Sequence, residues 1–215
     1  MAKVRHLLVH SLLASHPALT PAKPPKVTHR LYMLNKPFGI LSQHSDEGNR
    51  RGWGSLDLPF PSDVYSIGRL DADSEGLLLF TNNNRLKTRL LDPNEGHART
   101  YHVQVEGEAT PDQLAQLQAP MELRIKGKSF ITRGCEARVI TPSWPERTPP
   151  IRVRKSVPDS WLELTLQEGK NRQVRRMTAA VGLPTLRLIR VAMGDWQLDD
   201  LGAGEWKELM NPSPL

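Results

Sequence analysis

At 215 residues the chain has room for one medium domain or two small subdomains with a proper core. Its single cysteine, Cys135, excludes an intramolecular disulfide framework and points to a reducing cytoplasm, and no apolar run reaches the length of a bilayer span. The net charge of +6 is uneven: residues 1–30 hold five cations and no acid, and further basic clusters at 147–155 and 167–190 point to a polyanionic partner.

In chain order, residues 1–28 carry Pro17, Pro21, Pro24 and Pro25 among small polar residues and read as a disordered basic tail. Lys3 and Arg5 ahead of apolar residues loosely mimic a secretory signal, but His10 and Ser11 interrupt the stretch. A folded domain is expected over 29–215. Residues 30–34 read as a strand that stops at Asn35-Lys36-Pro37, with a turn at Phe38-Gly39. The apolar run Leu77 to Phe80, bounded by Gly76 and Asn82, reads as a buried strand. Asn84 is placed to cap a short helix with Leu86 and Leu90 on one face, and Tyr101, Val103 and Val105 alternate as a half-buried strand does. Thr110, Pro111 and Gln113 form a capping box that opens a helix carrying Leu114 and Leu117. Five prolines within 141–158 predict an extended surface loop, which carries Arg152, Arg154 and Lys155. Leu162, Leu164 and Leu166 alternate as another strand, followed by a helix over about 172–181 and a last strand at Trp206. Helices and short strands mix without a βαβ rhythm, so the expected class is α+β with a mixed sheet.

Two segments carry chemistry. In GRLDADSEGLLLFTNN, residues 68–83, Asp71 follows Arg69 on a turn braced by core, as an aimed and ionised carboxylate requires. An aspartate capping local N–H groups is the plain alternative. In EGKNRQVRRM, residues 168–177, the expected helix puts Arg172, Arg175 and Arg176 on one face and Val174, Met177 and Val181 on the packed face. A surface helix normally mixes charge signs, so three unrelieved arginines suggest phosphate binding or pairing with a buried carboxylate. Tyr101 fits either a strand aromatic or a platform on which an unpaired base stacks. His6, His10 and His16 fall in the tail, Cys135 is alone, and nothing has zinc-ligand spacing, so no metal is expected.

These two motifs together resemble the family of the ribosomal small-subunit pseudouridine synthase A. Residues 147–196, and Asn171-Arg172-Gln173 in particular, are similar to the E branch of that family, which acts on large-subunit RNA. The resemblance spans roughly 30–206 and implies the pseudouridine synthase fold: a mixed, largely antiparallel sheet flanked by helices, in two subdomains with the active site in the cleft between them. It implies cofactor-free isomerisation of a specific uridine in large-subunit (23S) ribosomal RNA, free or in a preribosomal particle, by a cytoplasmic monomer that does not bind membrane. Asp71 would be the nucleophile, Arg175, two after Gln173, its ion-pair partner, and Tyr101 the ring stacked on the target uracil. Lys36, Arg69, Arg172 and Arg176 would hold backbone phosphates, with Lys170, Asn171, Gln173, Arg152, Arg154 and Lys155 as further RNA contacts. The small N-terminal RNA-binding module of many relatives has no counterpart in this sequence, and the basic tail would replace it electrostatically. Two rival readings remain open: a non-catalytic RNA-binding ribosome-assembly factor, and a nucleotide or sugar-phosphate hydrolase using Asp71 as base.

Overall fold

The computed structural model describes residues 29–209 apart from 126, 153 and 155. The expected tail over 1–28 and the expected RNA contact Lys155 lie outside the described residues. The strands are β1 Leu31–Lys36, β2 Tyr65–Ile67, β3 Glu75–Thr81, β4 Arg99–Glu106, β5 Glu122–Ile125, β6 Lys128–Ile131, β7 Glu136–Ile140, β8 Asp159–Leu166, β9 Thr185–Met193, β10 Trp196–Gln197 and β11 Trp206–Leu209. Three α-helices flank them: α1 Asn84–Leu91, α2 Pro111–Gln118 and α3 Gln173–Ala180. None of the described helices is long and apolar enough to cross a membrane.

A nine-stranded sheet runs β11-β1-β3-β9-β4-β8-β7, with β2 and β10 added beside β3 and β9. Its pairings are antiparallel except β3 with β9, which is parallel and limited to Glu75↔Ile189 and Gly76↔Arg190. That short seam divides the sheet into two wings, the two subdomains expected from the sequence, and the separate hairpin β5–β6 stands beside the second wing. The seam depends on Gly76. Its φ is +101°, and a Cβ there would lie 2.3 Å from the Arg190 carbonyl oxygen and 2.7 Å from the Arg190 nitrogen.

Every residue of β1 and β3 is buried, because each strand is flanked on both edges and covered on both faces. On one face of this wing Leu31, Met33, Leu77 and Leu79 pack with Leu86 and Leu90 of α1. On the other, Tyr32, Trp53, Phe60 and Phe80 form an aromatic cluster. The second wing packs Val103, Val105, Leu162 and Leu164 against Leu117 of α2 and Val174 and Met177 of α3. The alternating strands, the α2 capping box and the strand-free described part of 141–158 all follow the sequence pattern.

Three local features differ from the expectation. Strand β1 continues through Asn35 and Lys36, since it is sandwiched between β11 and β3 and the Asn35 amide donates to Leu201 O at 2.7 Å. Asn83, not Asn84, caps α1, its Oδ1 accepting from Arg85 N at 3.0 Å and Leu86 N at 3.2 Å. Arg172 precedes α3 with a φ of 51°, in the left-handed region, so it does not share a helical face with Arg175 and Arg176.

Candidate active site

Between the wings lies a cleft of about 670 Å3. The turn after β2 brings Arg69 and Asp71 to one side of it, while Tyr101 of β4, Arg190 of β9 and the loop 167–173 form the other. Phe130, Ile131 and Arg133 from the β6 region close one end. Asp71 is held by its backbone, whose carbonyl accepts Ser74 N at 3.0 Å, and by the adjacent Leu70, whose N–H donates to Ser42 Oγ at 2.8 Å. The Asp71 side chain is 40% exposed and has one long contact, from Arg172 Nη1 at 3.4 Å.

The strong ion pairing falls on Asp73 instead. Arg172 donates to both Asp73 carboxylate oxygens, at 3.1 and 2.8 Å, the forked geometry that a guanidinium favours. Arg175 Nη2 donates to the Asp73 carbonyl at 2.7 Å and lies 3.5 Å from its carboxylate. Burial alone would push the Asp73 carboxyl up, but the Arg172 hydrogen bond and the Arg175 and Arg172 charges outweigh it and hold the group below its usual range. This corrects the expected Arg175–Asp71 pair: Arg175 braces the turn through Asp73, and Arg172, expected on phosphate, reaches both carboxylates. The turn geometry is the cause, because it presents the Asp73 carbonyl and carboxylate to α3.

The loop before α3 is tied down by Gln173. Its Oε1 accepts Lys170 N at 3.0 Å and its Nε2 donates to Glu168, whose Oε1 also accepts Arg133 N. At 3% exposure Gln173, expected as an RNA contact, has its amide engaged on the protein, where it scaffolds the left-handed Arg172. Lys36 is corrected likewise. It is 0% exposed, and its Nζ donates to Ile40 O at 2.7 Å and Pro37 O at 3.0 Å, so it clasps the Phe38-Gly39 turn and reaches no phosphate. Burial pushes its amine down to about 8, with the Glu75 charge opposing.

Arg69, Lys170 and Asn171, expected as RNA contacts, are exposed on the cleft. Lys170 also stands 5.0 Å over the Phe130 ring. Arg176 is spent on backbone, donating to Arg124 O at 2.9 Å and Asn171 O at 3.3 Å. Arg152 and Arg154 do not line the cleft, and Arg154 forks onto both carboxylate oxygens of Glu106.

Sequence reasoning missed Arg99, Arg133 and Arg190, which line the cleft, and Asp73, which pairs with Arg172 and Arg175 beside it. The signal for Asp73 was its two-residue distance from Asp71 on one turn. For Arg190 it was the alternation in β9, which puts Leu188 and Arg190 on one face and Arg187 on the other. Arg187 accordingly forms a separate buried pair, donating to both Glu75 oxygens at 2.8 Å.

A mixed sheet split at a short parallel seam, with an aspartate and a tyrosine meeting in the cleft, defines the class, and residues 30–180 match the family model described as RNA pseudouridylate synthase. The chain belongs to that family. A relative from Xanthomonas axonopodis pv. citri named ribosomal large subunit pseudouridine synthase E is 52% identical over 174 residues, covering 80% of this chain and 89% of that protein. The protein of the same name from Vibrio vulnificus is 44% identical, covering 86% of this chain and 76% of its own length. Among solved structures, one described as a pseudouridylate synthase matches with a TM-score of 0.71 at 28% identity, covering 85% of this chain and 71% of that one. The family match is thus to RNA pseudouridylate synthases at large, and these relatives carry the E name, which corrects the narrower assignment to small-subunit synthases of type A.

Proposed function

We propose that this chain is an RNA pseudouridine synthase of the E type that isomerises one uridine of large-subunit (23S) ribosomal RNA, with Asp71 as nucleophile. The observation that carries the reading is the meeting of Asp71 and Tyr101, from opposite wings, in one cleft. The names of the relatives support the choice of RNA.

A base inside a helix is out of reach, so the target uridine is flipped out or already unpaired when it enters. Its uracil stacks on the Tyr101 ring, and the exposed cations Arg69 and Lys170 at the cleft hold flanking phosphates. Asp71 attacks, the N-glycosidic bond breaks, the uracil turns, and C5 bonds to ribose C1′. The bond that Asp71 formed is released along the way, the hydrogen displaced from C5 leaves as a proton, and the freed N1 takes one up from solvent. The product is therefore an isomer of the substrate, and the carboxylate is restored. Because Asp73 takes the forked contact of Arg172, the Asp71 carboxylate keeps lone pairs free for attack. The reading takes the enzyme to act as a monomer, in the cytoplasm, on free RNA or a preribosomal particle. The basic residues of the 1–28 segment add long-range attraction for that RNA.

The test is a pseudouridine map of ribosomal RNA from cells lacking the gene, complemented with wild type or Asp71→Asn. One site lost and restored only by wild type is expected. An unchanged map would remove the catalytic reading for ribosomal RNA and favour a non-catalytic assembly factor.

A further inference from the structure

Arg190 sits at the floor of the cleft, 3% exposed, directly opposite Tyr101 in the β4–β9 register. Residues opposed across a ladder project from the same face, and the register shift between Thr100 and Tyr101 sets where that pair points. The guanidinium is anchored at one end, Nε donating to Leu77 O at 2.8 Å across the seam. At the other end the guanidinium neighbours the Tyr101 side chain, and Nη2 is buried without a hydrogen bond of good geometry. A buried donor of a cationic group left unpaired is costly, and native structures seldom keep one unless water, an ion or a ligand completes it. Among the described residues Arg175 Nε and His97 Nε2 are also unpaired, and of the three residues only Arg190 lines the cleft.

We propose that Arg190 Nη2 donates to a carbonyl oxygen of the flipped uracil, making Arg190 a base-recognition residue of this site. The inference rests on the synthase reading above. Three features select the base over a phosphate. The nitrogen lies at the buried floor, whereas a solvated backbone phosphate stays at the rim with Arg69 and Lys170. The guanidinium is held beside Tyr101, the ring on which the base would stack, so a carbonyl edge of that base comes close to it once the base has entered. The ligand must also accept and not donate, because a guanidinium has only donors, and each uracil carbonyl does so. The same contact serves the chemistry. When the glycosidic bond breaks, its electron pair passes to the uracil ring, and the carbonyl oxygens share the negative charge beside a fixed cation.

The test uses a large-subunit RNA stem-loop carrying the uridine that wild-type protein isomerises, and the same stem-loop with an abasic site there. Asp71→Asn should prefer the uridine RNA, and adding Arg190→Met should shrink that preference about 10- to 100-fold, the size of a hydrogen bond to a charged group. A preference that stays unchanged, with both RNAs weakened equally or not at all, would overturn the proposal. If Arg190→Met does not fold, wild type is assayed on 2-thiouridine and 4-thiouridine at the target, because sulfur accepts weakly. Turnover about tenfold slower on one of them is expected, and normal turnover on both would overturn the proposal. Failure of the synthase reading looks different: wild type would form no pseudouridine in any large-subunit RNA.

Discussion

At the scale of single residues the site separates two carboxylates by role. Asp73 absorbs the guanidinium groups of Arg172 and Arg175, and Asp71, two residues earlier, is left with one 3.4 Å contact and an exposed face. Replacing Asp73 by Ala frees both arginines to close on Asp71, so kcat should fall about 100-fold or more while RNA affinity changes little. Steady-state kinetics on the substrate RNA check this, and an unchanged kcat would show that Asp73 is only structural. Lys36 gives a test in a different observable. Its folded pKa of about 8 lies below the ordinary 10.5, so between these values the unfolded chain holds a proton that the folded chain has lost. Lys36 should therefore add up to about 3 kcal/mol of stability as pH rises across that window. Cys135, its thiol pushed up to about 12 by burial, should subtract above pH 9, and the difference between wild type and Lys36→Met isolates the lysine. Urea unfolding of both proteins at pH 8 and 10 measures it; parallel curves for the two would contradict the assignment. The positions of Asp71 and Tyr101, on a turn and a strand that both line the cleft, were legible in the sequence because a long motif surrounds the first and strand alternation places the second. Lys36 and Gln173 were not, because a lysine or glutamine has the same letter whether it meets solvent or clasps a buried carbonyl.

At the scale of elements, local chemistry was readable and long-range pairing was not. The Thr110–Gln113 capping box and the alternation of Leu162, Leu164 and Leu166 act within a few residues, and both appear as expected. The extension of β1 to Lys36 depends on β3 and β11, dozens of residues away or more, and the chain around Lys36-Pro37 carries no trace of them. The helix at Gln173 starts one residue later than its arginine pattern implied, because the Gln173 side chain ties Lys170 and Glu168 into a loop that ends in left-handed Arg172. The seam between β3 and β9 offers the sharpest test at this scale. Gly76→Ala would drive a Cβ into the Arg190 backbone at a φ of +101°, so it should cost about 3 kcal/mol or more. A denaturant midpoint close to wild type would mean that the two strands can separate without penalty.

For the whole molecule, the sheet does the positioning. Two wings meet at two residue pairs, with Ile189 and Met193 of β9 packed into the core of the β1–β3 wing, and the cleft carries Asp71 on one side and Tyr101 and Arg190 on the other. Net charge adds a sequence-independent pull, and four of the basic residues, Lys3, Arg5, Lys23 and Lys26, precede residue 29. Deleting residues 1–28 should reduce the slope of log affinity against log salt by about 1–3 without changing the unfolding midpoint. An unchanged slope would exclude that segment from RNA contact.

The central claim is that Asp71 performs the isomerisation. Since C5 exchanges its hydrogen for the bond to ribose, RNA carrying tritium at uracil C5 releases label to water only as pseudouridine forms. Wild-type protein should release one equivalent per modified site, and Asp71→Asn should release none while binding the same RNA with similar affinity. Release by Asp71→Asn at a rate near wild type would contradict the account.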